Sequence, residues 1–332
     1  MKPVFAKLCE AFIFNKKKRR EFRQEQVSKT LEYQIAELKK EVEAQRRMLS
    51  YTLNPLTMPP ARGFNRVVQL LSLEVLKDVV RVCDKHGIQY WLDYGTLLGA
   101  VRHRGFIPWD DDIDISMPYT ELLRFQEVAH ELECCQLKLP IGSMGKVVHN
   151  DFLPESDEEW TQVYRIGTYD KIYPMVDIFP VHYLKEEWTP ELAHAHVVDV
   201  CEKLYFAYEK AEKLQGRTLE TWEEVFRQLE HEEEKLISSE PSSYVFTSIR
   251  WHWQHHIAPV SLIYRSKDIF PLKKANYEGE EYSIPANSEL KLFKRYGEWW
   301  NVQFVGTHMF FSEVATEHLE KLIEHGKRLG CM

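Results

Sequence analysis

The chain has 332 residues, of which 44% are hydrophobic and 28% charged, a composition typical of a globular protein with a sizeable core. Its formal net charge of −8 is unevenly distributed. Residues 1–50 hold 13 Lys and Arg against 7 Asp and Glu, a net +6, and the other 282 residues hold 30 against 44, a net −14. An acidic body argues against nucleic acid as a partner.

The first predicted element is an amphipathic helix within residues 1–26. Its apolar helical face is followed by the basic run of residues 16–20. This pattern predicts a helix on an anionic membrane surface, so we expect a cytoplasmic protein held peripherally on the inner face of the cytoplasmic membrane. The alternative is a helix that docks on its own catalytic domain or on a partner chain. Lys7 and Glu10 interrupt the apolar stretch, which argues against a signal peptide.

A heptad pattern follows in residues 27–50. The apolar positions recur at alternating spacings of four and three residues, with Gln45 in the one polar place. The apolar members are Leu31, Ile35, Leu38, Val42 and Leu49. The pattern predicts a short coiled coil and a homo-oligomer, with a lone helix as the alternative. Residues 51–65 are Pro-rich and predict a linker, and residues 66–332 form the predicted catalytic domain.

The rest of the chain predicts an α+β fold, a mixed central sheet flanked by helices. Helices are predicted at Val67–Cys83, Thr96–Val101, Thr120–Leu132, Val197–Gln215 and Trp222–Ile237. Strands are predicted at Ile88–Tyr94, Ile113–Met117, Gly142–Val148 and Gln162–Thr168. No two of the six cysteines form a C-x-x-C pair, so free thiols in a reducing compartment are expected. Residues 251–256 (WHWQHH) predict a packed aromatic segment or substrate wall, with metal binding as an alternative.

Residues 95–114, GTLLGAVRHRGFIPWDDDID, are the most informative stretch. Gly95 predicts a turn after the first strand, and the later strand alternates isoleucine with aspartate, which places Asp112 and Asp114 on one face. Two carboxylates so close repel each other unless a cation lies between them. Hard divalent cations prefer such oxygen pairs, and a glycine turn beside them suits phosphoryl transfer. The alternative is a solvated acidic loop.

A third carboxylate lies in an apolar strand further along the chain. Asp177 stands within residues 173–180, YPMVDIFP, and a buried aspartate is costly unless it is paired or binds metal. The alternative is a turn or helix-capping aspartate before Pro180. A glycine turn, a strand with two carboxylates and a later strand aspartate together form the layout of nucleotidyltransferase-fold enzymes.

These residues carry a resemblance to a known family. The central motif, with VDIFP and a C-terminal stretch ending in YGEWW at residue 300, resembles the LicD family, which includes fukutin and fukutin-related protein. The resemblance spans roughly residues 67–301. It implies transfer of a phospho-alcohol from a CDP-activated donor to a glycan hydroxyl, with Asp112, Asp114 and Asp177 as metal ligands. We expect Mg²⁺ or Mn²⁺, and two ions.

Other residues near the motif are candidates for substrate contacts. Thr96 and the backbone amides from Gly95 onward are predicted to hold phosphate at a helix N-terminus. Arg102 pairs either with phosphate or with a local aspartate. His103 is a candidate base or hydrogen-bond donor, with a structural role as the alternative. Trp299 is a candidate wall for a sugar or for a choline cation, with core packing as the alternative.

The favoured function is transfer of phosphocholine from CDP-choline to a cell-surface glycan, with release of CMP, in lipopolysaccharide, teichoic acid or capsule biosynthesis. CDP-ribitol or CDP-glycerol is the alternative donor. Asp177 is also a candidate base for the acceptor hydroxyl. Two further alternatives are nucleotidyl transfer to a sugar phosphate, and a membrane-tethered assembly protein without turnover. The role of residues 182–256 is not predicted.

Overall fold

The structure is a computed structural model that describes residues 33–42, 44–45, 48–49, 52–139, 145–156, 171–215, 219–249, 263–301 and 316–332. The helix predicted within residues 1–26, the strand predicted at Gln162–Thr168 and the His-rich residues 251–256 lie outside this part. The chain divides into two compact units, residues 1–55 with 301–304, and residues 56–300 with 305–332. Within the described residues, no helix combines the length and the apolar character needed to cross a membrane.

In the first unit, the described residues between 33 and 49 are helical. The described apolar seam positions are exposed, at 50% for Ile35, 59% for Leu38, 45% for Val42 and 38% for Leu49. The apolar stripe predicted from the heptads therefore lies on the surface of this single chain. Self-association through it stays a prediction.

The second unit contains the secondary structure that positions the site. Its described helices are α1 (Gly63–His86), α2 (Tyr94–Arg102), α3 (Tyr119–Val128), α4 (Pro190–Gln215), α5 (Leu219–Glu234), α6 (Ser266–Ile269), α7 (Ser288–Tyr296) and α8 (Thr316–Arg328). Its described strands are β1 (Trp91–Leu92), β2 (Ile113–Pro118), β3 (Cys135–Lys138), β4 (Gly145–His149), β5 (Met175–Leu184), β6 (Ile237–Ser238), β7 (Tyr244–Thr247), β8 (Ile263–Arg265), β9 (Lys273–Tyr277) and β10 (Glu280–Ile284).

The described strands form one mixed sheet and one separate hairpin. Strands β1, β2, β5, β4 and β3 are neighbours in that order, while β6 and β7 pair with β5 and β8 pairs with β7. The central strands β2 and β5 run parallel, and β4 pairs antiparallel with β5. Strands β9 and β10 form the hairpin. The predicted α+β fold, a mixed central sheet flanked by helices, is confirmed.

Helix α1 packs its apolar face into the core and holds the acidic loop that precedes β2. Its Val75, Leu76 and Val79 are fully buried, and it ends where Gly87 takes the left-handed conformation at φ 63°. The buried Gln69 donates from its amide to the carbonyl oxygens of Ile107 and Asp110, at 3.3 and 2.7 Å. These bonds fix the backbone of the loop against the helix.

The structure corrects the predicted boundaries around the motif. The predicted strand Ile88–Tyr94 is reduced to Trp91–Leu92, because the Asp93 carboxylate accepts the Tyr94 N–H at 2.8 Å and begins α2 there. Gly95 therefore lies in the first turn of α2 rather than in a turn before it. Strand β2 begins at Ile113, so Asp112 precedes the strand instead of lying within it.

Other element boundaries also differ from the prediction, and two of them affect neighbouring segments. Helix α5 ends at Glu234, and Ile237 pairs with Leu184 in strand β6 instead of extending the helix predicted for Trp222–Ile237. Helix α1 begins at Gly63, inside the Pro-rich stretch of residues 51–65 that predicts a linker.

Candidate active site

The site is built on the parallel pair of strands β2 and β5. Asp114 on β2 is the direct register partner of Asp177 on β5. Residues paired in this way place their side chains on the same face of the sheet. The flanking Ile113, Ile115 and Val176 are fully buried. The apolar residues thus anchor the two strands, and two carboxylates from distant parts of the chain meet side by side.

Both carboxylates of this pair are buried, each residue being 8% exposed. Burial raises the pKa of the Asp114 carboxyl well above its usual range, and the neighbouring Asp112 and Asp177 raise it further. Asp110 and Asp93 add to the same effect. The ionised form of Asp114 is therefore disfavoured in the protein alone, and a bound cation would favour it.

The acidic loop before β2 adds further oxygen ligands. Asp110, Asp111 and Asp112 offer carboxylate oxygens that all lie within 4.8 Å of one another. Asp110 also packs against Gly95, where a Cβ atom would lie only 2.7 Å from its Oδ2. A residue without a side chain is thus required at position 95 for this carboxylate to approach the first turn of α2.

This set of residues fits a hard divalent cation such as Mg²⁺ or Mn²⁺, because carboxylate oxygens are the ligands that such cations prefer. The structure brings Asp114 and Asp177 together directly and places Asp112 one residue before β2. Within the described residues, the close three-carboxylate group is Asp110–Asp112 rather than the predicted trio. The ligand roles of Asp112, Asp114 and Asp177 stay a prediction.

A lysine that the sequence did not indicate lies beside the Asp114–Asp177 pair. Lys146 on β4 is the register partner of Asp177, and its ammonium donates to both Asp177 oxygens at 2.6 and 2.7 Å. It is 3% exposed. The sequence predicted the strand that carries Lys146. The pairing of Lys146 with Asp177, however, is not visible in the local sequence.

Helix α2 is held against the sheet by a buried ion pair that the sequence also missed. Asp93 is 1% exposed and lies 3.1 Å from the ammonium of Lys291 on α7. Its carboxylate also accepts from the Ser116 hydroxyl at 2.6 Å and from the indole N–H of Trp91 at 3.2 Å. Asp93 therefore ties α2, β2 and α7 together at the N-terminus of the helix.

Thr96 faces the site but makes a structural contact. Its Oγ1 accepts a hydrogen bond from the backbone N–H of Asp114 at 2.8 Å, and Thr96 is 2% exposed. The hydroxyl thus fixes the backbone of β2 beside the carboxylate pair. A phosphate contact through Thr96 and the amide of Gly95 stays a prediction.

We expect Thr96→Val to destabilise the fold by about 1–3 kcal/mol, because it leaves the buried Asp114 N–H without its acceptor. The control is Thr96→Ser, which keeps the oxygen and should remain close to the wild type. Urea unfolding followed by circular dichroism measures both. Equal stability of Thr96→Val and Thr96→Ser would show that this hydrogen bond does not support the site.

Arg102 and Trp299 are joined by a hydrogen bond. The Arg102 guanidinium donates to the backbone carbonyl of Trp299 at 2.8 Å. Burial lowers the pKa of Arg102 to about 10, against an opposing effect of Tyr296 and Asp110. The hydrogen bond between Arg102 and Trp299 brings the C-terminal aromatic segment to the end of α2. The phosphate contact of Arg102 and the substrate contact of Trp299 stay predictions.

His103 follows α2 and contacts its neighbours in the loop. Its Nδ1 lies 3.4 Å from Arg102 Nε, and its ring meets Trp109 edge-on at 6.4 Å. The Trp299 ring contacts Trp300 at 5.8 Å, and Trp300 is 51% exposed. These contacts place an aromatic surface near α2, and the base role of His103 stays a prediction.

The mixed sheet carries carboxylates on adjacent strands, beside the N-terminus of a helix. This is the layout that the sequence predicted by comparison with nucleotidyltransferase-fold enzymes. Residues 87–223 match the family model described as LicD/FKTN/FKRP, nucleotidyltransferase domain. The resemblance to the LicD family is thereby confirmed. The matched range contains Asp112, Asp114, Lys146 and Asp177, but not Trp299.

Similarity to individual proteins is concentrated in short stretches. The chain is 49% identical over 63 residues to the lipopolysaccharide cholinephosphotransferase LicD of Haemophilus influenzae, which covers 19% of this chain and 24% of that protein. It is 48% identical over 44 residues to the human ribitol 5-phosphate transferase FKRP, covering 13% and 9%. An uncharacterized protein of Rickettsia typhi is 29% identical over 144 residues, covering 36% and 47%. The matches thus span less than half the length of these relatives.

Proposed function

We propose that this protein transfers a phospho-alcohol from a CDP-activated donor to a hydroxyl of a cell-surface glycan and releases CMP. The observation that carries the proposal is the buried Asp114–Asp177 pair, with Asp112 beside it, inside the range that matches the LicD nucleotidyltransferase domain. Phosphocholine is the favoured group, because one similar protein is named as a cholinephosphotransferase.

The chemistry is an in-line displacement at the phosphorus that bears the alcohol. The acceptor oxygen forms a new bond to this phosphorus, the bond to the bridging oxygen breaks, and CMP leaves with that oxygen. A divalent cation held by Asp112, Asp114 and Asp177 would neutralise the charge that develops on the phosphates. Asp177 is the proposed acceptor of the hydroxyl proton, and it must loosen its contact with Lys146 to take it.

A donor carrying ribitol or glycerol is the second candidate. A similar protein is named as a ribitol 5-phosphate transferase. The protein's own cations also cover aromatic faces near α7, since the Lys291 ammonium lies 4.2 Å from the ring centre of Tyr264 and the Arg295 guanidinium lies 5.9 Å from that of Tyr296. A choline cation could not use the aromatic faces that these two side chains cover.

The test is CMP release from CDP-choline, CDP-ribitol and CDP-glycerol with Mg²⁺, each with and without a glycan acceptor. The donor that releases CMP fastest identifies the alcohol. Asp114→Asn protein prepared in parallel is the control for contaminating hydrolases. A folded protein that releases CMP from none of the three donors contradicts the proposal, and release of pyrophosphate from CTP with a sugar phosphate would favour nucleotidyl transfer.

We further propose that residues 1–26 bind an anionic membrane surface and that residues 27–50 form a homo-oligomer, with the site on the cytoplasmic side. Deletion of residues 1–50 should leave CMP release nearly unchanged, weaken binding to anionic vesicles and lower the oligomer state. Vesicle binding should weaken with salt, because charges are screened beyond about 10 Å at 0.1 M. Vesicle flotation and light scattering measure both effects.

The control for the membrane proposal is a vesicle of zwitterionic lipid, which should bind the full-length protein weakly at every salt concentration. Equal binding to both vesicle types would contradict the electrostatic part of the proposal. If the full-length protein does not bind anionic vesicles at low salt, residues 1–26 are better interpreted as a helix that docks on a protein.

A further inference from the structure

Lys146 stands at one end of a row of three buried ionisable residues, Asp114, Asp177 and Lys146. Asp177 is the register partner of Asp114 on one side and of Lys146 on the other. Directly paired residues in a sheet share a face, so all three side chains project from the same side. The row therefore reads carboxylate, carboxylate, ammonium across strands β2, β5 and β4.

The Lys146 ammonium contacts both oxygens of the Asp177 carboxylate, and each oxygen keeps a second lone pair for a cation. The ammonium lies 2.6 Å from one Asp177 oxygen and 2.7 Å from the other. Lys146 is 3% exposed, so water screens this charge little. A divalent cation bound on the Lys146 side of Asp177 would face an unscreened positive charge at close range.

A purely structural explanation also exists for this pair, since a buried lysine can simply offset the charge of a buried aspartate. It does not account for the position of the pair beside Asp114. Two-cation sites stabilise both the attacking and the leaving oxygen with positive charge. Lysine also binds phosphates as a positive point charge, with one charge against the two of a divalent cation. Lys146 stands next to the carboxylates, where a second cation would otherwise bind.

We propose that Lys146 replaces a second divalent cation, so that the protein binds one cation, among Asp112, Asp114 and Asp177, with the lysine ammonium as the second positive charge. The sequence alone predicts two ions. This inference rests on the proposed function, because it sets the number of cations at that same site.

The test counts bound Mn²⁺ on the purified full-length protein without any CDP donor, from the loss of the free-ion electron paramagnetic resonance signal. The wild type should bind one Mn²⁺ in this site. Lys146→Met, which has similar length and no charge, should bind two. Lys146→Arg keeps the charge and should again bind one, which a merely structural role would not require.

Circular dichroism first confirms that each variant is folded. Where Lys146→Met does not fold, Lys146→Gln takes its place, because its amide can still donate to Asp177. A wild type that binds two ions or none, or a folded neutral variant that binds one, overturns the inference. The titration contains no CDP donor, so these outcomes are distinct from failure of the proposed function. That failure would be a protein that binds one Mn²⁺ but releases no CMP.

Discussion

Asp114→Asn is expected to fold normally, to melt at a higher temperature than the wild type without metal, and to lose CMP release by at least about 100-fold. Activity falls because a cation loses a charged ligand. Stability rises because the folded protein disfavours the ionised Asp114, whose pKa is raised by burial and by Asp112 and Asp177. Asp112→Asn should lose activity to a similar extent.

The pH dependence gives a second check on Asp114. A carboxyl whose pKa is raised on folding contributes most stability below its unfolded pKa of about 4, and this contribution is lost as the pH rises through the folded pKa. The melting-temperature gain of Asp114→Asn over the wild type should therefore grow from pH 4 towards pH 7 in the presence of a chelator. Differential scanning calorimetry measures this gain.

The matched control is Asp84→Asn, which changes an exposed carboxylate at the end of α1. It should leave both melting temperature and activity close to those of the wild type. Activity of Asp112→Asn and Asp114→Asn within a few-fold of the wild type would exclude a cation site at these residues. A melting temperature of Asp114→Asn that falls at neutral pH would show that the carboxylate is stabilised by a contact instead.

Asp93→Asn should destabilise the fold by about 3–5 kcal/mol, the usual cost of leaving a buried charge without its partner. Lys291 is 6% exposed and would keep its ammonium beside a neutral amide. Although burial lowers the pKa of Lys291, the Asp93 carboxylate and the Tyr264 phenol raise it above its ordinary value. The lysine therefore stays charged in the folded protein, and it depends on Asp93.

The double variant Asp93→Asn/Lys291→Met should recover much of this loss, since it removes both charges together. Urea unfolding of the four proteins gives the coupling energy. The control is the exposed pair Asp199 and Lys203 on α4, whose side chains are 55% and 71% exposed and should couple by no more than about 1 kcal/mol. A coupling of similar size for the two pairs would contradict a special role of Asp93.

Patterns of alternating residues predicted the two carboxylates that meet in the sheet. Ile113 and Ile115 flank Asp114, and apolar residues flank Asp177, so each strand was visible in its own sequence. Their adjacency followed from the resemblance to a known fold rather than from either segment. The structure places them as direct partners, which local spacing alone does not dictate.

Lys146 and Asp93 were not predicted, for two different physical reasons. Lys146 is distinguished only by register, and the pairing of β4 with β5 is set by the packing of the whole sheet. Asp93 ends an apolar run that continues the strand pattern up to Tyr94, so its helix-capping role competes with strand periodicity. Its partner Lys291 lies almost 200 residues away, and no local signal joins them.

The connection from β2 to β5 has a consequence for how the protein acquires its site. Between these parallel strands the chain forms α3 and the β3–β4 hairpin, which places Lys146 beside Asp177. The three ionisable residues thus come from three separate segments, and such non-local contacts form slowly because loop closure must precede them. Cation affinity would then develop only as the sheet is completed. Bound Mn²⁺ would report complete folding rather than the presence of any one strand.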